Sequence, residues 1–139
     1  MGPNDVFVIA SNNKGKIDEF KTLLSPAKII PQSEIVQLEV DETGSTFFEN
    51  ALLKARGVAE FTNHNVIADD SGLIVPGLNN EPGLKSARYA SNDASDDENK
   101  EKLKSEMRRL GFEEMPAYFV CVLVTVSYTH LTLPTNPEV

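Results

Sequence analysis

The stretch Val66 to Val75, VIADDSGLIV, places two adjacent aspartates inside a run that otherwise has the composition of a buried strand. A carboxylate removed from water without compensation is costly, so acids at such a position call for a cation, a proton or hydrogen bonds. Successive side chains of a strand face opposite sides. Asp69 and Asp70 therefore cannot both line one surface unless the strand ends there, and a proton-sharing dyad is not expected. The reading is a strand over NVIADD that ends at Ser71-Gly72, with LIV continuing beyond it, one aspartate facing a site and the other supporting the turn. The plain alternative, that both acids only cap the turn, weighs about equally on this stretch alone.

Working outward, DVFVIA (Asp5 to Ala10) is a short β-branched run that ends at SNNKGK, after which Ile17, Phe20, Leu23 and Leu24 recur at helical spacing. AKII before Pro31 reads as a second strand, and SEIVQLEVDETGS as strand and loop leading to a helix. That helix has a start signal, the T-x-x-E capping box of Thr46 and Glu49. Phe47, Ala51, Ala55 and Val58 share its inner face, Glu49, Arg56 and Glu60 oppose them, and Asn50 and Lys54 fall at the edge of the apolar arc. PGLNNEPG is a turn-rich loop. Ser95 and Glu98 repeat the capping-box pattern ahead of a charged helix with the stripe Leu103, Met107 and Leu110, and AYFVCVLVTV reads as a fully buried strand. Alternating strands and helices imply an α/β sheet with helices packed on it.

With 139 residues and 40% hydrophobic content the chain suits one ordinary domain with a core of its own. The net charge of −8 argues against a surface that neutralises nucleic-acid phosphates. The longest apolar stretch, FVCVLVTV, is too short to span a bilayer, and the expectation is a cytoplasmic protein without membrane or nucleic-acid partners. Cys121, the single cysteine, excludes an internal disulfide and reads as a small buried hydrophobe. His64 and His130 stand alone, without the spacing of a zinc site.

Four segments can carry chemistry. SNNKGK, comprising Ser11, Asn12, Asn13, Lys14, Gly15 and Lys16, sits where a strand hands over to a helix, so backbone N–H groups and two lysines converge as a phosphate site requires. It lacks Walker spacing, and taken alone such turns more often mean only a helix cap. Asp41 and Glu42 in DETG precede the capped helix, where acids also occur simply as partners of the helix dipole. Lys54 is either an inward ligand contact or a snorkelling surface lysine. The aspartate pair is the fourth. All lie at element ends, where open α/β sheets build ligand sites. Two unit charges about 4 Å apart interact by about 4 kcal/mol at an effective dielectric of 20. Carboxylates beside a polyphosphate would repel it unless a divalent cation intervened, and Mg2+, which takes carboxylates, phosphate oxygens and water together, is the natural ion.

In this order and spacing, VIASNNKGKIDEF, DETGSTFFENALLKA, IADDSGLIV and PGLKSARYA closely resemble the inosine triphosphate pyrophosphatase family over about residues 5 to 125. The resemblance implies hydrolysis of inosine, deoxyinosine and xanthosine triphosphates (ITP, dITP, XTP) to the monophosphate and pyrophosphate, with Mg2+ as cofactor. It implies a mixed twisted α/β sheet flanked by helices, two-lobed with a central cleft, and a homodimer in the full-length form. It assigns triphosphate binding to Ser11 through Lys16 and Lys54, the proton acceptor and a metal ligand to Asp70, and a substrate contact to Ser71. A second metal carboxylate falls on Asp41 or Glu42, and Arg88 lies in a matching motif without a settled role. The family continues past FVCVLVTV with segments of GFGYDP and SHR type that contact the base, and neither occurs here. The expectation is therefore a partial pyrophosphatase domain over residues 1–125 and a non-native tail over residues 126–139, VSYTHLTLPTNPEV, which resembles translated sequencing-adaptor ends. An open frame encoding that tail in uncontaminated source DNA would remove this expectation.

Overall fold

A computed structural model describes residues 2–127. The segment from residue 128, most of the expected tail, lies outside the described residues. The elements are β1 (Val6–Ile9), α1 (Lys14–Leu23), β2 (Lys28–Pro31), α2 (Phe47–Ala59), β3 (Asn65–Val75), β4 (Glu81–Pro82), α3 (Asp96–Arg109) and β5 (Tyr118–Val126), with 3-10 turns at Gln32–Glu34, Pro76–Leu78 and Gly83–Arg88. The strands form a mixed sheet in the order β2-β1-β3-β4, with β5 also paired to β3. No helix among the described residues is long and apolar enough to cross a membrane.

The chain divides into two compact units. The first holds residues up to Asp41, Leu52–Ala68 and the chain from Val124. There β1 pairs in parallel with β2 and with β3, setting Val8 opposite both Ile30 and Val66. Strand alternation sends neighbouring residues to opposite faces. Val8 and Val66 join Ala10, Ala55, Val58 and Ala68 in one cluster, while Ile9 and Ile67 join Ile17, Phe20 and Ile29 in the other. The sheet is thus covered by α2 on one face and α1 on the other, which is why β1 and the start of β3 read as continuous apolar runs. Leu23 departs from the expected apolar stripe of α1 and is 75% exposed.

SEIVQLEVDETGS forms no strand: after the turn at Gln32–Glu34 the chain stays irregular as far as α2. The alternation of Val36, Leu38 and Val40 is nonetheless real, because these three are half-buried while Gln37 and Glu39 are exposed. Their partner is a helix and not a sheet edge. A Cβ on Gly57 of α2 would lie 2.8 Å from Val40 Cγ2, so the absence of a side chain there lets the segment lie against the helix. Buried Gln32 fixes the segment by donating from Nε2 to the Leu38 carbonyl at 2.7 Å.

The second unit holds Glu42–Ala51 and Asp69–Leu123. Here β3 corrects the sequence reading, because it does not stop at Ser71-Gly72 but continues to Val75 and pairs antiparallel with β4, Ile74 opposite Pro82. Gly72 is not a turn glycine. A Cβ there would collide with the Gly83 carbonyl and lie 2.8 Å from Ser86 Oγ and 2.9 Å from Phe47 Cε1. The residue is demanded by close backbone approach, the other common meaning of glycine inside a strand. The turn falls later, where Asn79 and Asn80 take left-handed conformations that asparagine tolerates.

The box expected at Ser95 and Glu98 is complete. At α2 it is shifted: Thr46 Oγ1 accepts from Glu49 N at 3.0 Å, but the Glu49 carboxylate accepts from Ser45 N and Ser45 Oγ. Strand β5 is also a correction. Only Val124 is buried, Phe119 is 67% and Leu123 58% exposed, and Cys121 is exposed. Its apolar composition predicts a strand covered on both faces, but among the described residues only the face of Val124 and Val126 is partly covered, Val126 packing on the core cluster, while Phe119, Cys121 and Leu123 on the other are exposed.

Candidate active site

The first group of candidates assembles at the end of β1. Asn13 is the N-cap of α1, its Oδ1 accepting from Lys16 N at 3.2 Å, and Ser11 Oγ accepts from Asn13 N at 3.0 Å. A Cβ on Gly15 would lie 3.3 Å from Asn13 Oδ1, so glycine lets the cap fold tightly over the first turn. The cap reading and the phosphate reading of SNNKGK are compatible. The cap engages the oxygen of Asn13, while the first amides of the helix have no intrahelical carbonyl to reach and carry the positive end of the dipole.

Ser11, Asn12 and Asn13 line a cavity of about 340 Å³ together with Gln32, Asp41 and Lys54. All belong to the first unit. Lys54 therefore does reach this cavity from the half-buried edge of α2, beside the fully buried Ala55. Lys14, Gly15 and Lys16 occupy the first turn of α1 and do not line the cavity.

The second group, Glu42, Asp70 and Ser71, is carried by the second unit. Asp69 and Asp70 are 8% and 9% exposed, so both acids of the opening stretch are buried within a continuing strand. The expectation that one of them supports a turn is overturned with the turn itself. The adjacent acids separate: Asp41 lines the cavity of the first unit, whereas Glu42 pairs with Arg88 at 3.5 Å.

Metal fit follows from this donor set. Among the described residues no three His, Cys, Asp or Glu side chains are gathered as a metal site, which excludes a preformed all-protein cage there. Glu42 and Asp70 of the second unit offer hard carboxylate oxygens, the donor type that Mg2+ takes together with water and phosphate oxygens.

Sequence reasoning overlooked what orders the acidic loop. Asn50, 1% exposed, accepts from Gly44 N at 2.7 Å through Oδ1. A Cβ on Gly44 would lie 2.7 Å from that oxygen, so DETG closes on the helix only with glycine at its end. The signal was present, since Asn50 is an amide immediately before Ala51 on an apolar arc, but its partner is six residues away in a loop. Gln32 was missed because nothing local distinguishes it from a surface glutamine.

The chain is similar to known proteins over most of its length. The family model described as the Ham1 family matches residues 7–135. The chain is 45% identical over 121 residues to a dITP/XTP pyrophosphatase of Legionella pneumophila, covering 87% of this chain and 62% of the relative. Against a dITP/XTP pyrophosphatase of Staphylococcus aureus it is 50% identical over 117 residues, covering 84% and 59%. Among solved structures it is similar to the Ham1 protein of Staphylococcus aureus, with a TM-score of 0.77, 48% identity and coverage of 88% and 64%. A HAM1 protein from Coxiella burnetii gives a TM-score of 0.82 at 39% identity, with coverage of 89% and 64%. The chain thus spans about three fifths of the length of the curated relatives it matches.

Proposed function

The chain belongs to the Ham1 family, and on that premise we propose that it hydrolyses the triphosphates of deaminated purines, ITP, dITP and XTP, to the monophosphate and pyrophosphate. The observation that supports the reading is the cavity lined jointly by the Ser11–Asn13 turn, Asp41 and Lys54 beside the N-terminus of α1. A lining of helix-start amides, an ammonium group and a carboxylate suits a metal–triphosphate, and a simple helix cap needs neither of the last two.

In the proposed mechanism, Ser11 through Lys16 and Lys54 hold the phosphate tail by amide donors and ammonium charge. Asp70 accepts the proton of the attacking water, and Ser71 contacts the substrate. The water oxygen bonds to the α-phosphorus, the bond from that phosphorus to the bridging oxygen breaks, and pyrophosphate leaves with the electron pair. Asp70 and either Asp41 or Glu42 would hold Mg2+, which would supply charge neutralisation to the phosphates when bound. A carboxylate serves as general base when it lies within hydrogen-bond reach of the water it deprotonates. Residues 1–125 are proposed to carry the site. A homodimer and a cytoplasmic setting belong to the same proposal and rest on family membership.

The test is pyrophosphate release with Mg2+ from ITP, dITP and XTP beside ATP and GTP. The deaminated substrates should turn over preferentially, and Asp70→Asn should lower kcat by about 10²–10⁴-fold, the usual contribution of a general base, while nucleotide binding persists. Binding without turnover in the parent chain would replace the reading with a nucleotide-binding module. Unchanged turnover in Asp70→Asn would remove Asp70 as the base.

A further inference from the structure

We infer that Arg88 is a positioning residue that orders the Glu42 carboxylate for the metal, an inference that rests on the proposed reading of the Asp41–Glu42 pair. The contact runs from Arg88 Nη1 to Glu42 Oε2 at 3.5 Å, with both side chains half-buried. A carboxylate offers about four lone-pair sites, and the guanidinium contact helps to fix its orientation.

The argument comes from how firmly Arg88 itself is held. It ends the 3-10 turn Gly83–Arg88, and side-chain hydrogen bonds, one from within the turn and two from α3, tie the chain down on both sides of it. Before it, Ser86 Oγ accepts from Leu73 N of β3 at 2.9 Å and donates to the Gly83 carbonyl at 2.6 Å. Around it, Asn99 of α3 donates from Nδ2 to the Ala87 carbonyl at 3.0 Å and accepts through Oδ1 from Ala90 N at 2.8 Å. After it, Lys102 Nζ donates to the Tyr89 carbonyl at 2.9 Å and lies 4.3 Å from the centroid of the Tyr89 ring.

Three side chains thus fix a five-residue segment whose charged member reaches the acidic loop. The loop is fixed from its other side by Asn50. A surface ion pair of ordinary kind contributes little and has no such framework. A carboxylate meant to receive a metal does need one, because outer partners orient metal ligands, and their loss usually costs about 10–100-fold in metal affinity. Arg88 is suited to this by its planar, permanently charged fork.

The experiment measures Mn2+ binding to the whole chain by electron paramagnetic resonance, with the melting temperature of each variant recorded. Arg88→Ala should weaken Mn2+ binding by about tenfold or more, and Arg88→Lys, which keeps the charge but not the fork, should recover part of the loss. In a Glu42→Gln background the same Arg88→Ala change should have no further effect on Mn2+, since the partner it orders is gone. Where Arg88→Ala melts too low to assay, Arg88→Lys and Arg88→Gln carry the same comparison. Unchanged Mn2+ affinity in the Arg88 variants, or an equal loss with and without the Glu42 carboxylate, overturns the inference. Turnover of ITP by the parent separates the two readings. A parent that hydrolyses ITP while its Arg88 variants bind Mn2+ normally sinks the positioning role alone, and a parent that neither binds Mn2+ nor hydrolyses sinks both.

Discussion

Gly72→Ala isolates the feature on which the placement of Asp70 and Ser71 depends. The added Cβ would strike the Gly83 carbonyl, and it would lie 2.8 Å from Ser86 Oγ and 2.9 Å from Phe47 Cε1. The first obstacle is backbone and cannot rotate away. Overpacking of this kind costs about 1–3 kcal/mol. Displacing Ser86 also endangers its bonds to Leu73 N and to the Gly83 carbonyl, each worth about 0.5–1.5 kcal/mol. The expected loss is therefore about 2–6 kcal/mol. At about 3 °C per kcal/mol for a chain of this size, the melting temperature should fall by about 6–18 °C. Thermal unfolding followed by circular dichroism, with urea titration as a check, measures it. A melting temperature indistinguishable from the parent's would mean that Gly72 is not pressed against Gly83 and that β3 does not run on through the two aspartates.

Other expectations can be checked as directly. Asn50→Ala removes the acceptor for Gly44 N and should cost about 1–3 kcal/mol, with faster proteolytic cleavage within residues 41–46; an equally resistant loop would contradict the ordering role assigned to Asn50. The Ser95 backbone N–H, and then its hydroxyl, hold the Glu98 carboxyl below the ordinary glutamate range. The stability gained from that ionised cap is present above the ordinary range and lost as pH falls through the depressed value. Glu98→Gln should therefore flatten part of the acid limb of the stability–pH curve, and an identical acid limb would contradict it. Exposed Cys121 should react with Ellman's reagent in the native protein without denaturant, and protection until unfolding would show β5 to be covered.

The first unit was largely legible in the sequence because its signals are local. The spacing of Ile17 and Phe20 and the arc of Ala51, Ala55 and Val58 are each decided within one element, and the structure buries all five. The strand at Val6–Ile9 and the one at Lys28–Pro31 were legible for the same reason. What the sequence did not yield depends on partners distant in the chain. Gly72 looks like a turn residue until Gly83 and Ser86 are seen packed on it. Val36, Leu38 and Val40 alternate as a strand does, and only the presence of Gly57 reveals a helix as their partner. Strand β5 carries a buried composition, but its burial depends on what packs against it.

The site divided in the same way. Asn13, Lys54 and Asp41 were singled out by residue type and position, and the structure sets the three around one cavity, Lys54 from the middle of α2 and not from its end. The residues that hold such groups in place, Gln32, Asn50 and Asn99, act through hydrogen bonds to backbone in other segments. Side-chain-to-backbone bonds of this sort leave no periodic trace.

The central claim is that water attacks the α-phosphorus of a deaminated purine nucleoside triphosphate. Hydrolysis of ITP in 18O-labelled water, with mass analysis of both products, tests it most directly. The account predicts one labelled oxygen in inosine monophosphate and none in pyrophosphate. Label in the pyrophosphate, or release of inorganic phosphate in its place, would contradict it.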